Sequence, residues 1–404
     1  MTVVLLEALT FGLGRLVDAA TDAGHRLCLL TGDRSIYAYE LAVLGPDALD
    51  VVDIDTTDLV ACETVLRELP DLAGIISSTD TWAVPGAELT ARLGLPGPDV
   101  GAVRTLRDKG AVRSLLHTRG LSRGTALSSP FNAGQVEAAI GFPLVVKDSA
   151  GTSSRGVWLI RDRAELDAAL DEAGRTPLKG HLIAEPFFAG PVYSAETLTW
   201  QGRTRLLGVH SRQLSPEPMR REDSAAFPVA FPAGDLAELD DWIGRVLAAA
   251  GFGQGFAHTE FVLTADGPEV IEINARIGGA LVGEALCRSL ATNVYDALVS
   301  VALGKSPALL DDPLEQGTGV AFVLVYADRA GTLSGWSGLD RLAALPGRPE
   351  WFPTANPGDR FEHLGDQRGC TGIVLTEGPT AELALHRALT AAGGIRTGID
   401  SEVR

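Results

Sequence analysis

From Thr2 to about residue 105, short apolar runs alternate with helical patterns: TVVLLE, a helical stretch to about Ala23, HRLCLLT, then LAGIISS followed by AELTARLG. Because a helix follows each strand-like run, successive strands return in the same direction and pair in parallel, with the helices covering the sheet. A Rossmann-like parallel βα domain is therefore expected over residues 1–105. After about 106 the rhythm changes to β-rich hairpins interleaved with helices. One helix is well signalled there: Asp235 and Glu238 make a capping pattern, Leu236, Leu239, Ile243, Val246 and Leu247 form an apolar stripe, and Gly251 ends it. From 306 onward AFVLVYA, GCTGIVLT and a helix over roughly 381–392 read as a third, α+β piece. A chain of 404 residues suits such a division into two or three domains.

Charge narrows the function classes. Lys plus Arg is 34 and Asp plus Glu is 52, a formal net charge of −18, which disfavours nucleic acid and anionic membrane as partners. Residues 1–105 hold 16 acidic and six basic residues, read as a solvated acidic surface. The opening MTVVLLEALTFGLGRLVDAA lacks a basic leader, and no apolar run reaches about 18 residues. Cys28, Cys62, Cys287 and Cys370 lie far apart with no C-x-x-C pair, so neither zinc nor a disulfide framework is indicated. A cytoplasmic protein is expected. Gly12 and Gly14 follow the first strand, but Val17 replaces the third glycine of G-x-G-x-x-G, so an ordinary tight turn is favoured over dinucleotide binding.

Two hairpins carry the chemistry. Pro143 to Lys147 is a short strand ending in a cation, Gly151-Thr152-Ser153-Ser154-Arg155-Gly156 is a polar loop, and Val157 to Ile160 is again a strand. The glycines have P-loop spacing, yet Val157 and Trp158 stand where Lys and Ser/Thr are required and no helix follows, so the pattern argues against a Walker site. Such a loop can still fold over a polyphosphate through backbone N–H groups and hydroxyls, with Lys147 as the compact positive charge beside it. The plainer alternative is a surface hairpin with an outward lysine. In the second hairpin, a three-residue loop Ala265-Asp266-Gly267 pairs Thr264 with Pro268 and sets Glu260 opposite Glu272 and His258 opposite Asn274. A two-residue loop would put the glutamates on opposite faces. Opposed carboxylates repel unless a cation lies between them, and Mg²⁺ held by one or two carboxylates plus phosphates resolves this. Asn274 adds a neutral oxygen, and Arg276 can reach a transferring phosphoryl group. An exposed acidic hairpin face is the alternative.

The ordered set VVKDSAGTSSRGV, AEPFFAGPVYSAETL, HTEF and IEINARIGG resembles the ATP-grasp enzymes over roughly residues 1–305, and the end of the chain, GCTGIVLTEGPTAELALHRAL, is similar to the C-terminal domain of L-amino-acid ligases. The resemblance implies a two-lobed ATP-grasp fold, with a small lobe over about 106–188, a large lobe over 189–305 and a C-terminal α+β ligase subdomain over 306–404. It implies ATP and Mg²⁺ as cofactors, with Mn²⁺ as a substitute. Lys109, Lys147 and the loop Gly151, Thr152, Ser153, Ser154 and Gly156 match its phosphate clamp. Glu185 matches a hinge carboxylate near the adenine amine, the Pro186 carbonyl and the Phe188 N–H match partners of the ring edge, and Glu196 resembles a further glutamate facing the nucleotide. Glu260 and Glu272, assisted by Asn274, match the metal ligands. Arg276, with Lys147, matches the catalytic cations that stabilise an acyl phosphate. Arg212, where many relatives have lysine, Glu222 in an E…P segment with Pro228, and Gly278 and Gly279 fall on the substrate side.

The implied reaction is carboxylate–amine ligation through an acyl phosphate, with amino acids as the expected substrates and a homodimer as a common assembly among similar proteins. Three other readings are open: a biotin-carboxylase-like enzyme, a dinucleotide-dependent oxidoreductase using Gly12 and Gly14, and a non-catalytic ATP-binding protein. Only four of the 34 basic residues are lysines, and two of them, Lys109 and Lys147, fall where phosphate-binding lysines are expected. Lys179 and Lys305 read as solubilising surface residues.

Overall fold

The computed structural model describes residues 1–217, 221–314 and 317–400. Strands β1 (Thr2–Leu6), β2 (Arg26–Thr31), β3 (Asp50–Asp53) and β4 (Leu72–Ile76) form a parallel sheet in the order β3-β2-β1-β4. Near-continuous burial of β1 and β2 matches their uninterrupted apolar runs, as expected of strands covered on both faces. The first helix, Leu13–Asp22, starts at Gly12 (φ +106°). The carboxylate of Glu40 accepts from the backbone N–H of Leu13, and Gly12 and Gly14 donate to it as well. The chain's own anion thus fills the place a pyrophosphate takes in a dinucleotide fold. That removes the physical basis of the oxidoreductase reading.

A second sheet, antiparallel and ordered β5-β8-β6-β7, is built from β5 (Leu127–Ser128), β6 (Leu144–Asp148), β7 (Val157–Ile160) and β8 (Leu182–Pro186). The chain continues through β9 (Val192–Trp200), β10 (Arg203–Leu214), β11 (Glu222–Phe227), β12 (Gly255–Thr264), β13 (Gly267–Asn274), β14 (Gly319–Tyr326), β15 (Gly331–Ser337), β16 (Glu350–Pro353), β17 (Arg360–Phe361), β18 (Cys370–Gly378) and β19 (Arg396–Asp400). Eight of these make one sheet in the order β13-β12-β9-β10-β11-β14-β18-β16. No break in that sheet marks position 305: β14, β18 and β16 extend the surface begun by β9 to β13. The helix Ala381–Gly393, capped by Thr380, packs beside β14 and β18.

The helix expected from Asp235 spans Ala233–Ala249 and is preceded by Pro232 without a side-chain cap, so Asp235 is a first-turn acid and not the cap. Its stripe behaves as expected: Leu239, Ile243, Val246 and Leu247 are buried against Phe252, Phe261 and Val270. Among the described residues no helix is long and apolar enough to cross a membrane. All four cysteines are buried and unpaired.

Candidate active site

A cleft of about 930 Å³ opens between the β5–β8 lobe, the charged end of the eight-stranded sheet and the loop after β1. The β12–β13 hairpin forms one wall. Glu260 pairs with Glu272 and His258 with Asn274, but by a different route from the one the spacing suggested. The turn is the two-residue Ala265-Asp266 with Thr264 opposite Gly267, and the register then shifts because Ile271 is an extra, bulged residue between Val270 and Glu272. The bulge returns both glutamates to one face. It also turns the Ile271 carbonyl toward Lys147, whose Nζ donates to it at 3.2 Å, and Ile271 itself lines the cleft instead of packing behind it.

Lys147 is the penultimate residue of β6 and is almost fully buried, so the outward-lysine alternative does not hold. Its Nζ lies 2.5 Å from Glu185 on β8, and Arg113 donates to the other Glu185 oxygen at 3.1 Å. Burial pushes the Lys147 amine down; burial alone would raise Glu185, but Lys147 and Arg113 outweigh it and hold that carboxyl low. Glu185 is thus the partner of Lys147. Arg113 stands over the Phe188 ring at 4.9 Å and also meets Glu269 at 3.1 Å. It lies four residues after Lys109 on the helix Lys109–Thr118, one turn along the same face, a spacing from which it was readable.

Lys109 donates to the Gly151 carbonyl at 2.7 Å and sits 2.8 Å from Glu272, joining the glycine loop to the opposed carboxylates. Burial would raise Glu272, and Lys109 reverses this. Gly151, Thr152, Ser153 and Ser154 line the cleft, while Gly156 (φ +64°) lies behind it and accepts from the Asp148 N–H at 2.9 Å. Ser153 and Ser154 both adopt left-handed backbone conformations, φ +58° and +59°. Lys179 is exposed but donates to Thr152 Oγ1 at 3.1 Å, so it touches the loop instead of serving solubility alone.

Arg276 lies on the cleft wall, held by Asp80 from the loop after β4: Nε donates to Oδ1 at 2.8 Å and Nη2 reaches Oδ2 at 2.5 Å. Burial would raise Asp80, and Arg276 holds it down. Sequence reading missed Asp80, which precedes its partner by 196 positions and carries no motif.

Glu196, expected to face the nucleotide, is not among the residues that line the cleft. It lies beneath His258, 2.7 Å from Nδ1, and accepts from Ser194 at 2.9 Å. The imidazole faces the cleft, with Arg212 Nη1 3.0 Å and Glu260 3.4 Å from Nε2. Burial lowers His258, yet Glu196 outweighs it and raises the imidazole to about 9. Its approach to Arg212 is compensated by carboxylates, since Arg212 also meets Glu222 at 3.0 Å and Glu260 at 3.2 Å. Burial raises Glu222, whose Oε1 has no hydrogen-bond partner. Gly279 lines the cleft, whereas Gly278 packs on His258, where a Cβ would come within 2.7 Å of Nδ1. Asn274 lies at the cleft's back, donating to Glu272 at 3.1 Å.

The donor set fits Mg²⁺. Hard carboxylate oxygens from Glu260 and Glu272 stand in register on one face, and among the described residues no set of three His, Cys, Asp or Glu side chains converges into an all-protein cage. Such a pair suits an ion that takes its other ligands from phosphates and water.

Residues 140–284 match the family model described as the ATP-grasp domain, and residues 323–400 match L-amino acid ligase C-terminal domain 2. An L-arginine-specific L-amino acid ligase of Bacillus subtilis is 23% identical over 345 residues, 82% of this chain and 81% of its own. Carnosine synthase 1 of Homo sapiens is 25% identical over 361 residues, 82% of this chain, although the chain spans only 43% of that protein's length. The crystal structure of L-amino acid ligase from Bacillus licheniformis superposes with a TM-score of 0.84 at 21% identity, covering 99% of this chain and 98% of that one, which is likeness of fold.

Proposed function

The chain belongs to the ATP-grasp family, and from that premise we propose that it is an ADP-forming carboxylate–amine ligase that joins amino acids through an acyl phosphate. The observation that carries this reading is the convergence on one cleft of two buried lysines, an opposed glutamate pair and an arginine held by a carboxylate. Phosphoryl transfer requires positioning and charge neutralisation more than a nucleophilic side chain, and this set supplies both.

In the proposed reaction the substrate carboxylate attacks the γ-phosphate of ATP, releasing ADP and forming an acyl phosphate. An amine then attacks the acyl carbon, inorganic phosphate leaves, and the amine proton passes to solvent or phosphate. Lys147, fixed by Glu185, and Lys109, fixed by Gly151 and Glu272, grip the phosphates beneath the glycine loop. The Pro186–Phe188 segment holds the adenine edge. Glu260 and Glu272, with Asn274 behind them, would hold Mg²⁺, which neutralises charge on the transferring phosphoryl group when bound. Asp80 and Ile277 engage three of the five guanidinium N–H groups of Arg276, which leaves two for the acyl phosphate and the oxyanion that follows. The buried, unpartnered Oε1 of Glu222 suits the α-ammonium of an amino acid. Reduced, buried thiols agree with a cytoplasmic enzyme.

A matrix of amino-acid pairs, assayed for phosphate release with mass spectrometry of the products, tests the reading. A dipeptide or other amide formed with stoichiometric ADP is expected. ADP release that needs bicarbonate and biotin instead of an amine would replace the ligase with a carboxylase.

A further inference from the structure

Crossing the eight-stranded sheet from β13 toward β16, the cleft wall changes character. At β13 and β12 it is ionic, with Glu272 and Glu260; at β10 and β11 it carries Arg212 and Glu222. Beyond these, β14 contributes Leu324 and β18 contributes Cys370 and Ile373, with Leu324 paired directly to Ile373. Phe11, from the loop after β1, lines the same end and packs edge-on against Phe352 of β16 at 5.5 Å and 80°. The nearby cation, Arg368, donates to both oxygens of Asp366 through Nε and Nη2. Nothing in the proposed reaction uses this apolar end.

We propose that Phe11, Leu324, Cys370 and Ile373 form the side-chain subsite for the amino acid whose carboxylate is phosphorylated, and that the subsite takes an apolar side chain. This rests on the ligase reading above. One nitrogen of Arg212, Nη2, meets both Glu222 at 3.0 Å and Glu260 at 3.2 Å, so these carboxylates stand about one amino-acid head group apart. A substrate with its carboxylate toward Arg276, beside Glu260 and Glu272, and its ammonium at Glu222 Oε1 then directs its side chain onward to β14, the strand beside β11; Tyr326 of β14 already donates to the Glu222 carbonyl at 2.6 Å. A charged side chain arriving there would lose its water to a wall of Phe11, Leu324 and Ile373, whereas an apolar one gains by burial. The amine substrate approaches from the other side of the acyl carbon and does not read this wall.

The test is kcat/KM for ADP release with a series of first amino acids and one fixed second amino acid, product order being read by tandem mass spectrometry. In the wild type, Val, Leu, Met and Phe in first position should exceed Asp, Glu and Lys by at least about tenfold. Leu324→Phe should depress large first residues by at least about tenfold more than alanine. Thr354→Leu, at the part-exposed rim of the same end, should do so more weakly and serves if Leu324→Phe fails to fold. The subsite is overturned if the wild type prefers charged first residues, if a folded variant lowers all first amino acids by one factor, or if only the second-residue preference moves. A wild type that releases no ADP with any amino-acid pair would sink the ligase reading and the subsite with it; ligation with an unchanged ranking sinks the subsite alone.

Discussion

Lys147 and Lys179 are both lysines beside one glycine loop, yet burial gives them different work. Lys147 is enclosed and shares Glu185 with Arg113, whereas Lys179 is exposed and touches a threonine hydroxyl. Replacing Lys147 by alanine removes a charge-assisted contact to phosphate and should weaken ATP binding by about 2 kcal/mol in calorimetric titration, with Lys179→Ala changing it by no more than about 0.5 kcal/mol. Equal losses would remove Lys147 from the phosphate site. Arg276→Ala should cost on the order of 3 kcal/mol in kcat/KM. Asp80→Asn keeps the shape but gives up the charge that orients the guanidinium, and should lower kcat about tenfold while leaving the KM for ATP in place. In an Arg276→Ala background the same change should add nothing, because Asp80 acts through that side chain. At this scale the sequence was informative wherever a residue type was rare or repeated in a pattern. Lys109 and Lys147 stood out against 30 arginines, 34 less the four lysines. Asp80 did not, since one aspartate among many has no local signature of a partner in another domain. Glu196 was placed at the nucleotide from its motif alone, and only three-dimensional packing shows His258 standing in front of it.

Among the elements, the β12–β13 hairpin was legible in its alternation but not in its turn. Two departures, a two-residue loop and a bulge at Ile271, each move the register by one and cancel. Nothing in HTEF or IEIN announces a bulge, because Ile271 is as good a strand residue as its neighbours. Deleting Ile271 should remove the compensation and send Glu272 to the opposite face. The expected result is a folded protein, by circular dichroism, that has lost Mg²⁺-dependent ADP release; retention of that activity would mean the opposed pair is not the metal site. The apparent division of the chain at 305 reflects a change of local rhythm, whereas the strands after it pair edge to edge with those before, a long-range event that periodicity does not encode.

For the molecule as a whole, burial sets the acid response. Burial tends to raise Glu185, Glu196 and Glu272, and their cationic partners overcome it, so all three titrate below the ordinary value of about 4.5. Groups depressed on folding contribute stability that is complete above that value and is lost as the pH falls below it. Melting temperature should therefore be flat just above pH 5 and fall steeply beneath about 4.5; a protein as stable at pH 3.5 as at pH 6 would contradict the assignment. Burial also pushes the thiols of Cys28, Cys287 and Cys370 up to about 11, so the native chain should resist alkylation at pH 8 and consume reagent only after denaturation. Asp80 and Arg276 bring a last consequence. The cation assigned to the reacting centre is oriented by a residue of the N-terminal βα segment, which also meets the later chain through Arg15 with Glu284 and Phe11 with Phe352. The N-terminal domain is therefore no exchangeable module: a chimera that grafts it from a relative lacking a carboxylate at that position should still bind nucleotide and turn over poorly, until the matching aspartate is carried across with it.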